Sequence, residues 1–172
     1  MFTRAYWKGL LADWGVALLA IVVGLAVWNT IFAPQPRSNG PAPRLVLPSL
    51  DGGVTDLAAL GAGPIVVNFW FTSCGPCRQE IPELSRWARA HPDVPLLGVS
   101  TDRGMAVDRL AAASQRLGID YPVLHDVDGV AADAWQVAAY PTTFVVREGE
   151  IRAAAMGAVD ARRLDEMVNA SR

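Results

Sequence analysis

The sequence predicts an α/β fold, in which helices flank a central sheet of mixed strand direction. One transmembrane helix is predicted at the N-terminus, ahead of this fold. Continuous apolar runs at residues 65–71 and 94–100 indicate strands that are buried on both faces. Helical patterns alternate with these strands, and the chain then turns at Glu148-Gly149 into a hairpin, so the sheet should be of mixed direction. An uncharged, mostly apolar run from Trp14 to Ala33 precedes all of these elements.

The apolar run at the N-terminus predicts a membrane anchor, because it matches the length of about 20 residues that a helix needs to cross a bilayer. Arg4 and Lys8 lie before it and favour a cytoplasmic N-terminus, with the rest of the chain outside the cytoplasm. A cleaved signal peptide and a buried core helix are the alternatives, but the apolar core of a signal peptide is usually shorter, about 7–15 residues. We expect residues 1–33 to form a cytoplasmic stub and an uncleaved, single-pass signal-anchor in the inner membrane.

A proline-rich linker is expected over residues 34–43. Prolines recur through it, and serine, asparagine and glycine lie between them, a composition that favours extended chain. The linker should hold a domain of residues 44–172 away from the membrane, on its periplasmic side.

The elements of this domain follow from apolar periodicity for helices, from alternating or continuous apolar runs for strands, and from Gly, Pro or Asp at their ends. In chain order we expect strands at 44–50 and 54–55, a short helix capped by Asp56 and ending at Leu60, the buried strand 65–71, a helix from Cys74 to Ala90, the buried strand 94–100, a helix at 107–117, an extended piece at 121–124, a helix at 130–135, a hairpin of strands 142–146 and 150–155, and a closing helix at 160–170. Pro82 lies inside the helix that begins at Cys74 and is expected to kink it.

Both cysteines of the chain lie in one motif, Cys74-Gly75-Pro76-Cys77, at the junction of a buried strand and a helix. Cys74 occupies the helix N-terminus, where unpaired backbone N–H groups and the helix dipole favour a thiolate and lower the thiol pKa below its usual value of about 8.5. Cys77 lies one turn further on, so we expect Cys74 to be exposed and Cys77 to be shielded. This context is typical of a redox-active dithiol.

Other interpretations of the motif are weaker. A zinc site takes four ligands, and only His91 and His125 could join the two cysteines as histidine ligands. A purely structural disulfide between such close positions would constrain little of the unfolded chain. Peroxidase chemistry is excluded because a peroxiredoxin has threonine three residues before its cysteine, where this chain has Phe71.

Several further stretches accompany the cysteine motif. They are Val66-Val67-Asn68-Phe69-Trp70, Arg78 directly after the motif, Glu80-Ile81-Pro82, Gly98-Val99-Ser100-Thr101-Asp102, Tyr121-Pro122-Val123, Asp126-Val127-Asp128-Gly129 and Tyr140-Pro141-Thr142-Thr143-Phe144. With them the chain resembles the thioredoxin superfamily, and within it the TlpA/ResA/CcmG (DsbE) group of membrane-anchored thiol–disulfide reductases, from about Leu45 to Val168. The resemblance implies a thioredoxin-like fold.

The resemblance also implies roles for the site residues. Cys74 would attack a substrate disulfide, and Cys77 would resolve the mixed disulfide that results. Pro141 would follow a cis peptide bond and pack against the cysteine pair. The residues expected to contact the substrate are Gly75, Pro76 and, through its backbone, Tyr140.

Two positions depart from the patterns of related proteins. Ser73 replaces the tryptophan that usually precedes the first cysteine in this group, which changes the docking surface. Asn68 replaces the buried aspartate of cytoplasmic-type thioredoxins and cannot take a proton. The group has an acid at the position of Glu80, one turn after the second cysteine, so Glu80 is the candidate acceptor for the proton of the resolving thiol. The alternatives are an exposed surface acid, or a partner of Arg78 or Arg86.

By this resemblance the chain would be a disulfide reductase that faces the periplasm. Its substrates would be apocytochrome c or copper-site assembly proteins, and its electrons would come from a membrane thiol transporter of the CcdA/DsbD kind. It would need no cofactor beyond the redox-active Cys74–Cys77 disulfide and no metal, and we expect a monomer. A net charge of −2 without a basic stripe argues against nucleic acid. A disulfide oxidase of the same fold, or a non-enzymatic copper-binding or chaperone module that uses the two soft thiolates, is the alternative.

Overall fold

The computed structural model describes residues 4–32 and 38–171, and within its first helix it describes the side chains of residues 14–28. The chain divides into two compact units, Met1–Pro34 and Gln35–Arg172. The first unit holds helix α1 (Arg4–Phe32), whose described side chains are exposed. Among the described residues, no helix is both long enough and apolar enough to cross a membrane. Residue 33, the end of the predicted span, and residues 34–37 of the predicted linker lie outside the described part.

Within residues 38–171, the second unit contains a six-stranded sheet and a two-stranded sheet. The strands are β1 (Gly40–Pro41), β2 (Val46–Pro48), β3 (Val54–Asp56), β4 (Ile65–Trp70), β5 (Leu96–Ser100), β6 (Val123–His125), β7 (Thr142–Arg147) and β8 (Glu150–Met156). The large sheet has the order β1-β8-β7-β4-β5-β6, and β2 pairs with β3. β4, β5 and β6 are parallel, whereas β7 is antiparallel to both β4 and β8. The prediction of a mixed sheet is confirmed.

The helices of this unit lie where the sequence predicts them, with small shifts at their ends. They are a 3₁₀ helix (Leu57–Leu60), α2 (Gly75–Ala90), α3 (Val107–Arg116), α4 (Val130–Ala134) and α5 (Ala161–Ala170). Asp56 caps the 3₁₀ helix as predicted, because its carboxylate accepts a hydrogen bond of 3.0 Å from the N–H of Ala58. Asp160 caps α5 in the same way, through the N–H of Arg163 at 2.7 Å.

β4 is buried on both faces because a hydrophobic cluster covers each side of the sheet. Val67 and Phe69 belong to one cluster, together with residues of α4 and of the 3₁₀ helix. Val66 belongs to the opposite cluster, together with residues of α2 and α5. Trp70, at the end of β4, lies in a third cluster that also contains both cysteines. The sheet and its two covering layers therefore fix the place where β4 ends and α2 begins.

The described end of the predicted linker takes part in the sheet. Gly40 pairs with Ile151 and Pro41 with Glu150, so β1 lies along β8 at the edge of the large sheet. The backbone N–H of Ala42 continues the contact by donating to the carbonyl of Gly149 at 2.9 Å. A strand that contains proline fits at an edge because proline has no N–H to give to a second neighbour. Composition alone indicated extended chain here, and did not indicate its pairing partner.

Candidate active site

Cys74 is the N-cap residue of α2, and Cys77 lies in the first turn of the same helix. The two sulfurs form a disulfide, with the Cα atoms 5.3 Å apart. The backbone N–H of Cys77 donates to Sγ of Cys74 at 3.1 Å. Pro76 also lies in this first turn, where a missing N–H costs nothing because the N–H groups there have no partner within the helix. The helix N-terminus therefore offers Cys74, and not Cys77, a hydrogen bond that stabilises a thiolate.

The expectation that Cys74 is exposed is wrong for this disulfide form. Cys74 has a relative exposure of 4% and Cys77 of 1%. Both sulfur-bearing residues pack in one cluster with Trp70, and the partly buried rings of Phe71 and Tyr140 pack against that cluster. These two rings meet edge to face, with centroids 5.1 Å apart. The accessible surface beside the disulfide is instead formed by its exposed neighbours Ser73, Gly75 and Pro76.

Asp102 holds the loop that precedes Cys74. Its carboxylate accepts hydrogen bonds from the backbone N–H of Thr72 at 2.9 Å, from the Thr72 hydroxyl at 2.7 Å and from the Ser100 hydroxyl at 2.8 Å. β4 and β5 are parallel neighbours, so the chain leaves both strands at the same edge of the sheet. No role for Asp102 was predicted, although a polar residue just after a parallel strand beside the motif is a usable signal.

Tyr140 and Pro141 lie where the chain enters β7. The peptide bond between them is cis, as the resemblance implies. Pro141 is buried, and its carbonyl accepts a hydrogen bond of 2.8 Å from the N–H of Gly157. Tyr140 is half-buried and precedes the first residue of the β7 ladder, Thr142. The Tyr140 ring thus contacts the cluster around the sulfurs while its backbone stays outside the sheet.

Glu80 lies on the buried face of α2, with a relative exposure of 2%. One carboxylate oxygen, Oε1, accepts three long hydrogen bonds: from the N–H of Val159 at 3.3 Å, from Nδ2 of Asn68 at 3.4 Å and from the hydroxyl of Thr143 at 3.5 Å. The other, Oε2, has no hydrogen-bond partner among the described residues. Loss of water on burial raises the pKa of Glu80 from 4.5 to about 7, and the hydrogen bonds only partly oppose this rise.

The burial of Glu80 contradicts the alternative interpretations of this residue. It is not a surface acid, and its hydrogen-bond partners do not include Arg78 or Arg86. Arg86 forms an ion pair with Glu83 instead. Cys77 and Glu80 both belong to the buried face of α2, one turn apart. The helix therefore directs a carboxyl group that titrates near neutral pH to the same side as the resolving sulfur.

Asn68 connects Glu80 to the sheet. Its amide nitrogen donates to the hydroxyl of Thr143 at 3.0 Å, in addition to the Glu80 contact, and the residue is 1% exposed. An aspartate here would place a second carboxylate against Glu80 and raise the pKa of one of the two still further. The neutral amide at this position thus leaves Glu80 as the acid of the pair.

Gly98 lets two aromatic side chains approach this region. It pairs with Asn68 across β4 and β5, and a Cβ atom at Gly98 would lie 2.9 Å from Cε2 of Tyr121 and 3.2 Å from Nε1 of Trp70. The Tyr121 hydroxyl and Trp70 Nε1 have no hydrogen-bond partner within the described part of the chain. Burial, with a contribution from the charge of Glu80, raises the pKa of Tyr121. Tyr121 and Trp70 thus pack against the strand position beside Asn68, and Tyr121 lies close enough to Glu80 for the charge of that carboxylate to affect its pKa.

A comparison with known protein families identifies the family to which the chain belongs. A family model described as the AhpC/TSA family matches residues 39–154. The chain belongs to the AhpC/TSA family. Among the curated proteins that it resembles, the thiol:disulfide interchange protein DsbE of Allochromatium vinosum is 38% identical over 133 residues, which cover 75% of this chain and 72% of that protein. The thiol-disulfide oxidoreductase ResA of Bacillus subtilis is 26% identical over 159 residues, which cover 90% of this chain and 89% of that protein.

Solved structures agree on the fold. A protein from Chlorobium tepidum assigned as a thiol:disulfide interchange protein DsbE superposes with a TM-score of 0.71 at 22% identity, over 80% of this chain and 99% of that protein. The fold is thioredoxin-like, and the resemblance inferred from the motifs is confirmed. The chain is a thiol–disulfide oxidoreductase of the ResA/DsbE type, with Cys74 and Cys77 as its cysteine pair.

Proposed function

We propose that this member of the AhpC/TSA family is a membrane-anchored disulfide reductase that faces the periplasm. The observation that most supports the redox activity is the geometry at α2, where Cys74 caps the helix and receives the N–H of Cys77 while Glu80 lies buried one turn further along the same face. This arrangement supplies a stabilised thiolate, a shielded second thiol and an acid with a pKa of about 7.

The first step is attack on the substrate. The thiolate of Cys74 forms a bond to one sulfur of a substrate disulfide, the substrate S–S bond breaks, and the sulfur that leaves takes a proton from solvent. The exposed backbone at Gly75 and Pro76 and the backbone of Tyr140 hold the substrate chain beside the sulfur. A mixed disulfide between Cys74 and the substrate is the product of this step.

The second step releases the reduced substrate. Cys77 gives its proton to the Glu80 carboxylate and attacks Sγ of Cys74, which closes the Cys74–Cys77 bond and expels the second substrate sulfur as a thiolate. Two electrons have then passed from the enzyme to the substrate. A membrane thiol transporter of the CcdA/DsbD kind returns them, and Glu80 releases its proton before the next cycle.

We infer the direction of the reaction from the motif and from the group that the chain resembles. Gly75-Pro76 lacks the histidine found between the cysteines of strong oxidants, and the resemblance to the TlpA/ResA/CcmG (DsbE) group of reductases favours reduction of disulfides. Apocytochrome c and copper-site assembly proteins, whose cysteines must be reduced to receive heme or copper, are the substrates that we propose. The uncharged run of Trp14 to Ala33 supports the anchor.

The reduction potential of the Cys74–Cys77 pair tests the proposed direction. Known dithiols range from about −270 to about −120 mV, and a reductase belongs in the lower half of this range. Equilibration of the protein with glutathione or dithiothreitol redox buffers, followed by alkylation of free thiols and mass analysis, gives the potential. A value close to −120 mV would indicate a disulfide oxidase of the same fold.

A further inference from the structure

A groove of about 530 Å³ lies between the start of α2 and the exposed face of α3, and its charged lining is entirely positive. Three arginines line it: Arg78 from α2, and Arg109 and Arg116 from α3. The rest of its lining is apolar or neutral, with Ala112 and Ala113 between the two arginines of α3. The groove is therefore a concentrated cationic surface on a chain whose net charge is −2.

These three arginines have no acidic partner within the described part of the chain, and all three are exposed. Among the arginines whose side chains are described, every other one except Arg44 has a carboxylate at ion-pair distance. The carboxylate of Asp102, which lies near the groove through Thr72, accepts hydrogen bonds from Thr72 and Ser100. The positive charge of the groove is thus left without a counter-charge from the same chain.

The groove reaches the redox-active pair. Arg78 directly follows Cys77, and Thr72, two residues before Cys74, also lines the groove. Met105 and Leu117 contribute to the groove lining, and the same two side chains pack against the cluster that contains both sulfurs. A chain that lies in the groove would therefore pass beside the disulfide.

The spacing of the arginines suits an extended peptide. Arg109 and Arg116 are seven positions apart, so they lie on one face of α3 and about 10.5 Å apart along its axis. An extended chain covers that distance with about three residues. Ala112 and Ala113, at the intermediate positions of the same face, leave room for a backbone between the two guanidinium groups.

We propose that this groove binds an acidic segment next to the cysteines of the protein whose disulfide exchanges with Cys74. Carboxylates about three residues apart on that segment would meet Arg109 and Arg116, and a further one would meet Arg78. The proposal rests on the exchange reaction proposed above and adds the charge of its substrate. It applies to the docking step only and requires no new redox chemistry.

The test uses three peptides that share one internal disulfide and differ only in the residues that flank it, which are Glu, Gln or Lys. The reduced full-length protein, kept in detergent, is mixed with each peptide, and the second-order rate of exchange is measured by acid quench and mass spectrometry. We expect the Glu peptide to react about ten-fold faster than the Gln peptide, with the Lys peptide slowest. Because salt screens exposed charges, 0.5 M NaCl should remove most of this difference.

Charge reversal of the groove gives the second arm. In the double variant Arg109→Glu with Arg116→Glu, the Lys peptide should become faster than the Glu peptide, a gain that also shows that the variant is folded. Arg44→Glu is the matched control, since Arg44 is exposed, has no ion pair among the described residues and lies outside the groove. It should keep the preference for the Glu peptide.

Equal rates of the unaltered protein with all three peptides would overturn the groove proposal and leave the exchange reaction standing. A double variant that kept the preference for the Glu peptide would also overturn it, because that preference would then not depend on Arg109 and Arg116. If the unaltered protein reacted with none of the peptides, the proposed function would fail, and the groove proposal with it.

Discussion

Glu80 is an acidic residue that the fold has removed from water. The residue is 2% exposed, the three hydrogen bonds to its Oε1 are all longer than 3.2 Å, and its Oε2 has no partner among the described residues. With a pKa of about 7, the protonated and ionised forms are equally populated near neutral pH. A group in that state can both accept the proton of a resolving thiol and release it afterwards.

Glu80→Gln removes this proton acceptor while it keeps the size of the side chain. We expect the resolving step to slow by about ten-fold or more, and the rise of the rate between pH 6 and pH 8 to become flatter. Stopped-flow measurement of exchange with a neutral peptide disulfide across this range checks it. Glu83→Gln, on the same helix but half-buried, is the control. Rates and a pH profile like those of the unaltered protein would reduce Glu80 to a structural acid.

The same raised pKa makes the stability of the fold depend on pH. Below pH 4.5, Glu80 is protonated in both the folded and the unfolded chain, so it contributes no pH dependence. Between pH 4.5 and about 7, the unfolded chain loses this proton while the folded chain keeps it, so folding becomes less favourable as pH rises. Above pH 7 the cost is constant, at about 3 kcal/mol, because one pKa unit corresponds to about 1.4 kcal/mol.

Glu80→Gln has no such cost, so the variant should gain stability over the unaltered protein as the pH rises from 4 to 8. The gain should approach about 3 kcal/mol at pH 8, since Gln cannot ionise. Urea unfolding of the oxidised protein at both pH values measures it. A stability difference between the two proteins that is independent of pH would show that Glu80 is not held at a raised pKa.

At the scale of elements, the parallel pair β4 and β5 positions the redox motif. The two strands end at the same edge of the sheet. Asp102 follows β5 and accepts hydrogen bonds from Thr72, which follows β4. The loop that carries Ser73 to the N-cap Cys74 is therefore fixed from the neighbouring strand. α2 starts at a defined place because the residues before it are held by these hydrogen bonds.

Asp102→Asn tests this connection. Oδ2 accepts from both the N–H of Thr72 and the hydroxyl of Ser100, and Oδ1 accepts from the hydroxyl of Thr72. An amide places an N–H₂ group at one of these two positions, so either the first two donors or the third loses its acceptor. We expect a loss of stability of about 1–3 kcal/mol and faster hydrogen exchange at the N–H of Thr72. Asp108→Asn, at an exposed position in the first turn of α3, is the control. Unchanged stability together with unchanged exchange at Thr72 would mean that Asp102 does not hold the loop.

The elements themselves follow from local signals, whereas features that join distant parts of the chain do not. Apolar runs predict β4 and β5, and Asp56 predicts its cap, because these signals lie within a few residues of one another. The pairing of Gly40 with Ile151 and the groove formed by Arg78 and α3 depend on which elements the fold brings together. Cys74 is nearly buried because aromatic rings pack around it, and one of them belongs to Tyr140, which is distant in sequence. The sequence alone does not show that this ring points toward the cysteines.

At the scale of the whole molecule, the proposal joins a redox domain to a membrane anchor. The apolar run of Trp14 to Ala33, with Arg4 and Lys8 before it, motivates the anchor and its orientation. We expect cell fractionation to recover the protein at full length in the membrane fraction, resistant to extraction with salt or alkali. A shortened protein in the soluble fraction would show that the segment is a cleaved signal.

The order of the two sulfurs is the central claim, and it rests on the position of each in α2. Both cysteines are nearly buried in the disulfide form, so their difference lies in the N–H of Cys77 that points at Sγ of Cys74 and in the depth of Cys77 inside the first turn. Attack on a substrate should start at Cys74, and only Cys77 should be able to release the product.

Trapping of the mixed disulfide in cells measures this order directly. Cys77→Ser should keep the first step and block the second, so it should accumulate covalent adducts with its substrates, seen on non-reducing gels and dispersed by reductant. Cys74→Ser, expressed at the same level, should accumulate few or none. The identity of the trapped protein would also name the substrate and show whether acidic residues flank its cysteines. Adducts formed equally by both variants, or by Cys74→Ser alone, would contradict the assignment of Cys74 as the nucleophile.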